Sequence, residues 1–307
     1  MNRTQIPGKA HSGLAAVVAT FNRRALLAEC LDALLSQTEP MDEIIVVDNA
    51  STDGTADMLS SAYSGRVTHV RNRENLGGAG AFSRGLRLAY GRGHKWFWIM
   101  DDDCRPAPSA LERLLDVAAR NPRALYGPRV LDPKTGAPGW EFRSWKHGIG
   151  GLLAIPSIAF NGLFVSRDVV ASIGFPLSRL WIYADDVEYS FRARAKGYPA
   201  FIVYQSVVYH PTVEIYGWVR IGRRFLFSIP KFRSPDRAYY QVRNTTFIIV
   251  RYFNLVTPRL LLGALRTLVC LAFSRTVPLR VLKKALVDGL LFPKSDKDFE
   301  ATSGAAE

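Results

Sequence analysis

The 307-residue chain has only three cysteines, which lie far apart at Cys30, Cys104 and Cys270. An odd number of scattered thiols fits neither a disulfide framework nor the paired spacing of a zinc site. The scarcity of cysteine therefore argues against a disulfide-stapled secreted protein and favours a reducing compartment, the cytoplasm.

Long apolar stretches are missing as well. The longest candidate, around residues 260–273, is interrupted by Arg266 before it reaches the roughly 18–20 residues that span a bilayer. The opening segment MNRTQIPGKAHSG lacks the apolar core of a signal peptide. We therefore expect neither secretion nor an integral membrane protein, and residues 1–12 are predicted to be a flexible N-terminus.

Acidic residues are scarce in the last quarter of the chain. Between Ile215 and Phe292 there are 14 Lys or Arg residues but only Asp236 and Asp288, so this segment holds almost all of the net charge of +13. The basic residues alternate with aliphatic and aromatic ones, which is typical of basic amphipathic helices that lie on an anionic membrane. A helical packing or oligomer surface with solvated arginines is the alternative. Nucleic-acid binding is disfavoured, because the basic residues are interleaved with aliphatics and the polar strand ends described next are acidic.

The first 130 residues alternate short apolar runs with amphipathic stretches. The runs at 14–20, 43–49, 66–72 and 95–100 are each followed by helical spacing of apolar residues. Continuous apolar strands alternating with helices predict βαβ units and a parallel sheet covered on both faces. The predicted fold is therefore an α/β, Rossmann-like layer whose ligands lie beyond the carboxyl ends of the strands.

Polar, Gly-rich or acidic segments follow all four predicted strands: ATFNR, VDNASTDGT, RNRENLGGAG and MDDDC. Their convergence at one sheet edge predicts a crevice for a nucleotide-type ligand. Further along, strands are predicted at 158–167 and 199–210, and a helix within 181–198. From about residue 213 onward the chain is predicted to be helical.

The three consecutive aspartates after the fourth strand suggest a bound cation. A diphosphate-activated donor would be repelled by carboxylates unless a divalent ion such as Mn²⁺ or Mg²⁺ lay between them. We expect Asp101 and Asp103 to lie next to the metal and Asp102 next to the ribose or sugar. His210, which follows a strand, could supply a third ligand. The alternatives are a solvated acidic turn for the aspartates and a structural role for the histidine.

Further side chains at these ends suggest binding or proton transfer, each with a structural alternative. Arg84 could pair with phosphate or be an ordinary surface arginine, and Asp48 could accept hydrogen bonds from a base or ribose or cap a helix. The pair Asp185 and Asp186 could cap a helix, or one of them could act as general base. Trp181 and Tyr183 could offer flat faces to a sugar ring, although aromatic residues more often belong to the core.

In this order the motifs resemble the inverting family 2 glycosyltransferases of the GT-A fold. The resemblance covers about residues 13–250 and rests on VVATFNR, IIVVDNASTDGT, NLGGAGAFSRG, WIMDDD, FNGLFVSR, WIYADDVEYSFRARAKGY and the YH at 209–210. It implies a nucleoside held by Thr20, Phe21, Asn22, Arg23 and Asp48, and a diphosphate lined by Asn75, Gly77 and Arg84. It implies a metal held by Asp101, Asp103 and His210, with Asp102 on the donor. It also implies Asp186 as catalytic base with Asp185 beside it, and Asn161, Gly162, Trp181 and Tyr183 around the transferred sugar and acceptor.

Within this family the chain most resembles the actinobacterial galactofuranosyltransferases that initiate cell-wall galactan. That implies UDP-galactofuranose as donor, a polyprenyl-diphosphate-linked rhamnosyl-GlcNAc as acceptor, and peripheral attachment to the inner face of the plasma membrane. The segment YYQVRNTTF at 239–247 equally resembles family 2 rhamnosyltransferases, which use dTDP-rhamnose. A non-catalytic sugar-nucleotide sensor is a third alternative.

The predicted organisation is a GT-A domain over 13–212, followed by a helical membrane-associating region over 213–292 and a flexible tail over 293–307. Residues 13–130 form the nucleotide-sugar half of the GT-A domain and residues 131–212 its acceptor half.

Overall fold

A computed structural model describes residues 13–138, 151–211, 216–221, 224–230, 234–253 and 277–292, together with residues 258, 261, 262, 265 and 268. The ends predicted to be flexible, 1–12 and 293–307, lie outside the described residues, as does most of the apolar stretch at 260–273.

The N-terminal half consists of alternating strands and helices, as the apolar runs predict. Its elements are β1 Leu14–Thr20, α1 Arg24–Leu35, β2 Glu43–Asp48, α2 Thr55–Ala62, β3 Thr68–Arg71, α3 Gly77–Gly91, β4 Trp96–Asp101, β5 Arg105–Pro106 and α4 Ala110–Ala118. Strands β3, β2, β1 and β4 pair in this order and are all parallel. Helices on both faces bury β1 along its whole length.

The following segment continues the sheet with mixed strand directions. Its elements are β6 Leu125–Leu131, β7 Leu152–Ile155, β8 Asn161–Ser166, α5 Arg167–Ile173, α6 Asp185–Ala195 and β9 Ala200–Tyr209. Strand β8 runs antiparallel between β4 and β6, and β9 is parallel to β6 but antiparallel to β5 and β7. The α/β prediction is confirmed, and three of the four parallel strand pairs lie within the first 101 residues.

The core lies on both faces of this sheet. On one face Val17, Val47 and Phe97 pack against α3, α5 and α6, whereas on the other Val18, Trp98 and Val46 pack against α1 and α4. Because β1, β2 and β4 are covered on both sides, the polar groups of these strands lie at their ends.

The C-terminal region contains a hairpin as well as helices. Residues predicted to be helical instead form the antiparallel strands β10 Tyr216–Ile221 and β11 Arg224–Pro230, so the helical prediction is wrong for this stretch. Helices α7 Pro235–Arg251 and α8 Leu279–Leu290 follow, and they pack together through Ala238, Val242, Leu282 and Ala285. None of the helices within the described residues is long and apolar enough to cross a bilayer.

Candidate active site

The carboxyl ends of three parallel strands lie level at one edge of the sheet. Thr20 at the end of β1 is in register with Asp48 at the end of β2, and Ala19 is in register with Asp101 at the end of β4. Strand β8 begins next to them, because Met100 pairs with Asn161 and the Asp101 amide donates to the Phe160 carbonyl. The predicted convergence of polar strand ends is therefore confirmed.

Asp102 is held in place from the β1 side of this edge. Its carboxylate is buried and accepts a 2.7 Å hydrogen bond from the Thr20 hydroxyl and a 3.1 Å hydrogen bond from the Arg23 guanidinium. The same Arg23 nitrogen donates to Asp103 at 2.9 Å. Arg23 thus bridges two of the three aspartates and offsets part of their mutual repulsion.

Asp103 and His210 come together in a way that suits a cation. The His210 Nε2 lies 3.1 Å from the buried Asp103 Oδ1, and no other group in the described part of the chain donates a hydrogen bond to this oxygen. A carboxylate oxygen next to an imidazole nitrogen is a donor set that Mn²⁺ or Mg²⁺ can share. Asp103, His210 and the Cys104 thiol have ligand atoms within 4.8 Å of one another, whereas Asp101 stands outside this cluster.

The three aspartates have different electrostatic surroundings. Burial, followed by the charges of Asp103 and Asp102, holds the pKa of Asp101 well above its usual range. Burial also raises the pKa of Asp102. For Asp103 burial acts in the same direction, but the hydrogen bonding and charge of His210 and the charge of Arg23 outweigh it and lower the pKa. Burial raises the pKa of the Cys104 thiol well above its usual range, so this sulfur is a poor ligand for a hard cation.

The loops after β1 and β2 are tied to each other. Asn22 has a φ of 52°, its amide donates to the Ser51 hydroxyl, and its side-chain oxygen accepts from the Thr52 amide at 2.7 Å. Phe21, beside it, leaves 42% of its surface exposed. These contacts form a rigid wall from which an exposed aromatic ring projects.

Asp48 lies beneath this wall rather than on it. Its side chain is fully buried, accepts from the Ser51 amide at 2.8 Å and lies 3.4 Å from the His69 ring. The carboxylate is therefore occupied by protein groups, and its contact with a nucleoside stays a prediction.

The Gly-rich turn before α3 is built by side-chain amides. The Asn75 side chain accepts from the Gly77 amide at 2.8 Å, and the Asn49 side chain donates to the Gly77 carbonyl at 3.0 Å. Arg84, predicted to face phosphate, donates to the Arg71 carbonyl and the Asn72 side chain, and its contact with phosphate stays a prediction. Asn49 and Asn72 were missed by sequence reasoning, although both follow strands.

The second acidic pair begins α6, at the end of a strained segment. Trp181, Tyr183 and Ala184 have φ values of 64°, 65° and 59°, which side chains other than glycine rarely adopt. The Trp181 ring stacks on Tyr240 with centroids 4.6 Å apart, so one face of the ring predicted to meet a sugar is already covered. The Tyr183 hydroxyl accepts from the Arg237 guanidinium at 3.3 Å.

The carboxyl groups of Asp185 and Asp186 both have raised pKa values, which disfavours the state in which both are ionised. Burial, followed by the Asp186 charge, raises the pKa of Asp185, and burial raises that of Asp186. Asp185 is buried, whereas Asp186 is partly open to solvent. The field of Asp185 also contributes to the raised pKa of Asp101, which links the two acidic groups electrostatically.

Asn161 and Gly162 line the start of β8, on the sheet edge next to Asp101. Gly162 has a φ of 117°, and its carbonyl accepts from the Trp98 indole at 3.1 Å. An added Cβ at Gly162 would lie 2.8 Å from the Pro128 ring, so a residue with a side chain does not fit at this position. The two residues are thus placed beside the aspartates, and their contact with a sugar stays a prediction.

The fold of this site is that of the GT-A glycosyltransferases. The mannosyltransferase PcManGT from Pyrobaculum calidifontis, solved with GDP-Man and Mn²⁺, superimposes with a TM-score of 0.54 over 95% of this chain and 79% of that chain. Only 19% of residues are identical, so the likeness concerns the fold.

Sequence comparison gives the family. The family described as "Glycosyl transferase family 2" matches residues 15–166. Galactofuranosyltransferase GlfT1 of Mycolicibacterium smegmatis is 35% identical over 251 residues, which cover 76% of this chain and 82% of the relative. The N-acetylglucosaminyl-diphospho-decaprenol L-rhamnosyltransferase of Mycobacterium tuberculosis is 25% identical over 232 residues, which cover 64% and 75%. The chain belongs to glycosyl transferase family 2 and is a glycosyltransferase.

Proposed function

We propose that the enzyme transfers galactofuranose from UDP-galactofuranose to a polyprenyl-diphosphate-linked rhamnosyl-GlcNAc acceptor and thereby initiates a cell-wall galactan. The observation that carries this proposal is the 35% identity to a galactofuranosyltransferase over most of both chains. The rhamnosyltransferase matches less of this chain at lower identity, so dTDP-rhamnose is the second candidate donor.

Asp103 and His210 would hold a divalent cation, with Asp101 approaching from the end of β4. The fit rests on the buried Asp103 Oδ1, which has the His210 nitrogen as its neighbour and accepts from no other group in the described part of the chain, at an edge where Arg23 bridges two carboxylates. When bound, such an ion offsets the charge of the diphosphate and stabilises the departing UDP.

The wall formed by the loops after β1 and β2 would bind the nucleoside. Phe21 offers an exposed ring for stacking, and Asn22 and Thr20 keep the wall rigid through their bonds to Thr52 and Asp102. Asp102, bridged by Arg23, would lie next to the ribose. Asn75 and Gly77, at the turn that leads into α3, would line the diphosphate side of the site near the N-terminus of this helix.

Asp186 would be the catalytic base. Burial, followed by the charge of Asp186, raises the pKa of Asp185, which favours the protonated form of Asp185 beside an ionised Asp186. The more open Asp186 is then the carboxylate that accepts the proton of the acceptor hydroxyl. The hydroxyl oxygen bonds to the anomeric carbon as the bond to UDP breaks on the opposite face, which inverts the configuration.

The C-terminal helices would place the enzyme on an anionic membrane surface at the cytoplasmic face. Phe253, Leu279 and Leu291 leave 66%, 66% and 75% of their surfaces exposed, and the Arg280 and Lys283 side chains are exposed on the same helix as Leu279. Exposed apolar and basic groups together match the interface of an anionic bilayer, where a polyprenyl acceptor resides.

The test of the function is a transfer assay with purified protein, a synthetic polyprenyl-diphosphate disaccharide, and either UDP-galactofuranose or dTDP-rhamnose. We expect a galactofuranosylated product, release of UDP, and loss of turnover when EDTA removes divalent metal. A rhamnosylated product would replace the proposal by the second candidate, and binding of both donors without transfer would support the sensor.

Membrane association is tested by flotation with vesicles. Binding to anionic but not to neutral phosphatidylcholine vesicles, weakened by salt, is expected. If the protein binds neither type of vesicle, the proposed membrane-binding surface is wrong.

A further inference from the structure

The segment between the 3₁₀ turn at Ser178–Leu180 and α6 is held in a conformation that its own residues disfavour. Three of its residues, Trp181, Tyr183 and Ala184, adopt the left-handed region without being glycine. Such a conformation persists only where the surroundings impose it. Asp185 and Asp186 follow at once, so whatever fixes this segment also fixes the acidic pair.

The buried amide of Asn244 on α7 is the group that meets this segment from one side. Its side chain is fully buried, and its nitrogen lies 2.9, 2.9 and 2.8 Å from the carbonyl oxygens of Leu180, Ile182 and Tyr183. An amide nitrogen has only two hydrogens, so two of the three carbonyls must share one of them, and all three oxygens point toward the same nitrogen. The preceding Arg243 adds hydrogen bonds to the Arg179 and Leu180 carbonyls.

The first turn of α3 holds the segment from the other side. The Ala79 amide donates to the Trp181 carbonyl at 3.2 Å, and that carbonyl lies so close to Gly77 that a side chain there would not fit. The segment is therefore held between α3, on the donor side of the site, and α7.

Docking of α7 does not itself require Asn244. Phe247, Ile248 and Tyr252 pack with Leu177, Leu180 and Phe191, and the Tyr252 hydroxyl donates to Glu188 at 2.7 Å. The buried side-chain amide of Asn244 donates to three carbonyls of the loop. It is therefore placed to fix the conformation of the loop, whereas the apolar contacts fix the position of α7.

We propose that Asn244 is a positioning residue for sugar transfer, which fixes residues 180–184 so that the carboxylate of Asp186 faces the acceptor hydroxyl. The inference rests on the proposed role of Asp186 and adds to it a residue that makes no contact with substrate. Arg243 supports the same segment.

The experiment compares Asn244→Ser and Asn244→Ala with Phe247→Leu, a matched change three residues along the same helix that weakens packing but leaves the carbonyl contacts. With whichever donor supports turnover, kcat should fall by about 10- to 100-fold in Asn244→Ala and by less in Asn244→Ser, which keeps one donor. The KM for the acceptor and the Kd for UDP should stay within about twofold, whereas Phe247→Leu should keep kcat.

Hydrogen exchange supplies a readout that does not depend on the sugar. Backbone amides of residues 181–187 should exchange faster in both Asn244 variants and not in Phe247→Leu. If exchange there is unchanged, or if kcat falls in step with the melting temperature in all three variants, the positioning role is wrong. A wild-type enzyme that transfers no galactofuranose would instead refute the proposed donor and leave the exchange result to decide the role of Asn244.

Discussion

Gly77, the first residue of α3, is the point at which this helix contacts Trp181, in the segment that leads to the acidic pair. It has a φ of 71°, and an added Cβ would lie 2.1 Å from the Trp181 carbonyl oxygen and 2.7 Å from its carbon. Those atoms belong to the backbone and cannot turn away as the end of a side chain can. Gly77→Ala must therefore displace either the first turn of α3 or residues 180–184.

The cost of Gly77→Ala has two parts. An alanine in the left-handed region costs about 1–2 kcal/mol. Ordinary contacts begin near 3.4 Å, so the carbonyl must retreat by more than an ångström, which is overpacking of a kind that costs about 1–3 kcal/mol. Together the free energy of unfolding should fall by about 2–5 kcal/mol, and the melting temperature by roughly 3–8 °C for a chain of 307 residues.

Gly93→Ala is the control that separates the two parts. Gly93 has a φ of 86°, but an added Cβ there meets nothing within 4 Å. Chemical denaturation of both variants should show only the conformational cost, about 1–2 kcal/mol, for Gly93→Ala. The difference between the variants measures the clash with Trp181.

The two variants should also differ in their sugar-transfer activity, because only Gly77→Ala brings the clash with Trp181. Gly93→Ala is expected to keep kcat, whereas Gly77→Ala should lose about tenfold or more, because the displaced segment leads directly to Asp185 and Asp186. Equal losses of stability in the two variants would show that the Trp181 carbonyl moves freely, and the reasoning on a fixed segment would be refuted.

Three further predictions concern the acidic groups. Asp186→Asn should lower kcat by about 100-fold or more while calorimetry shows unchanged UDP binding, and unchanged turnover would exclude Asp186 as base. The raised pKa of Asp186 means that kcat/KM should rise with pH through a value above the ordinary 3.8 of aspartate, since only the ionised base accepts a proton; an acidic limb at or below 3.8 in a pH–rate profile would contradict this. Asp103→Ala should abolish stimulation by added Mn²⁺ with little loss of thermal stability, and a normal metal titration would remove Asp103 from the proposed site.

Local patterns predicted the parts of the fold that depend on local sequence. The runs that became β1, β2 and β4 are continuous and apolar because both faces of these strands are covered, and each predicted bound lies within one residue of the observed one. The acidic residues after β4 and at the start of α6 could also be found from the local sequence. Polar groups at strand ends and helix starts stand out against apolar neighbours.

Elements that depend on distant pairing could not be predicted. Strand β6 contains Gly127, Pro128 and Arg129, which weaken its strand pattern, and it forms because β8 and β9 pair with it. The hairpin of β10 and β11 mixes apolar and basic residues in a pattern that suits a helix equally well, and cross-strand pairing decides between them. Asn244 is the extreme case, since its partners lie more than 60 positions earlier in the chain.

Backbone strain locates the site independently of the motifs. In the described part of the chain, the positive φ angles outside glycine occur at Asn22, Ala50, Trp181, Tyr183 and Ala184. The first two follow β1 and β2 at the sheet edge, and the other three precede the acidic pair. Strained residues and buried carboxylates both lower stability, so neither would persist here without compensating contacts. Those contacts come from Ser51, Thr52 and Asn244, side chains that hold the backbone rather than any substrate. The family 2 motifs therefore predict which groups react, whereas the relative positions of these groups depend on polar side chains that no motif marks.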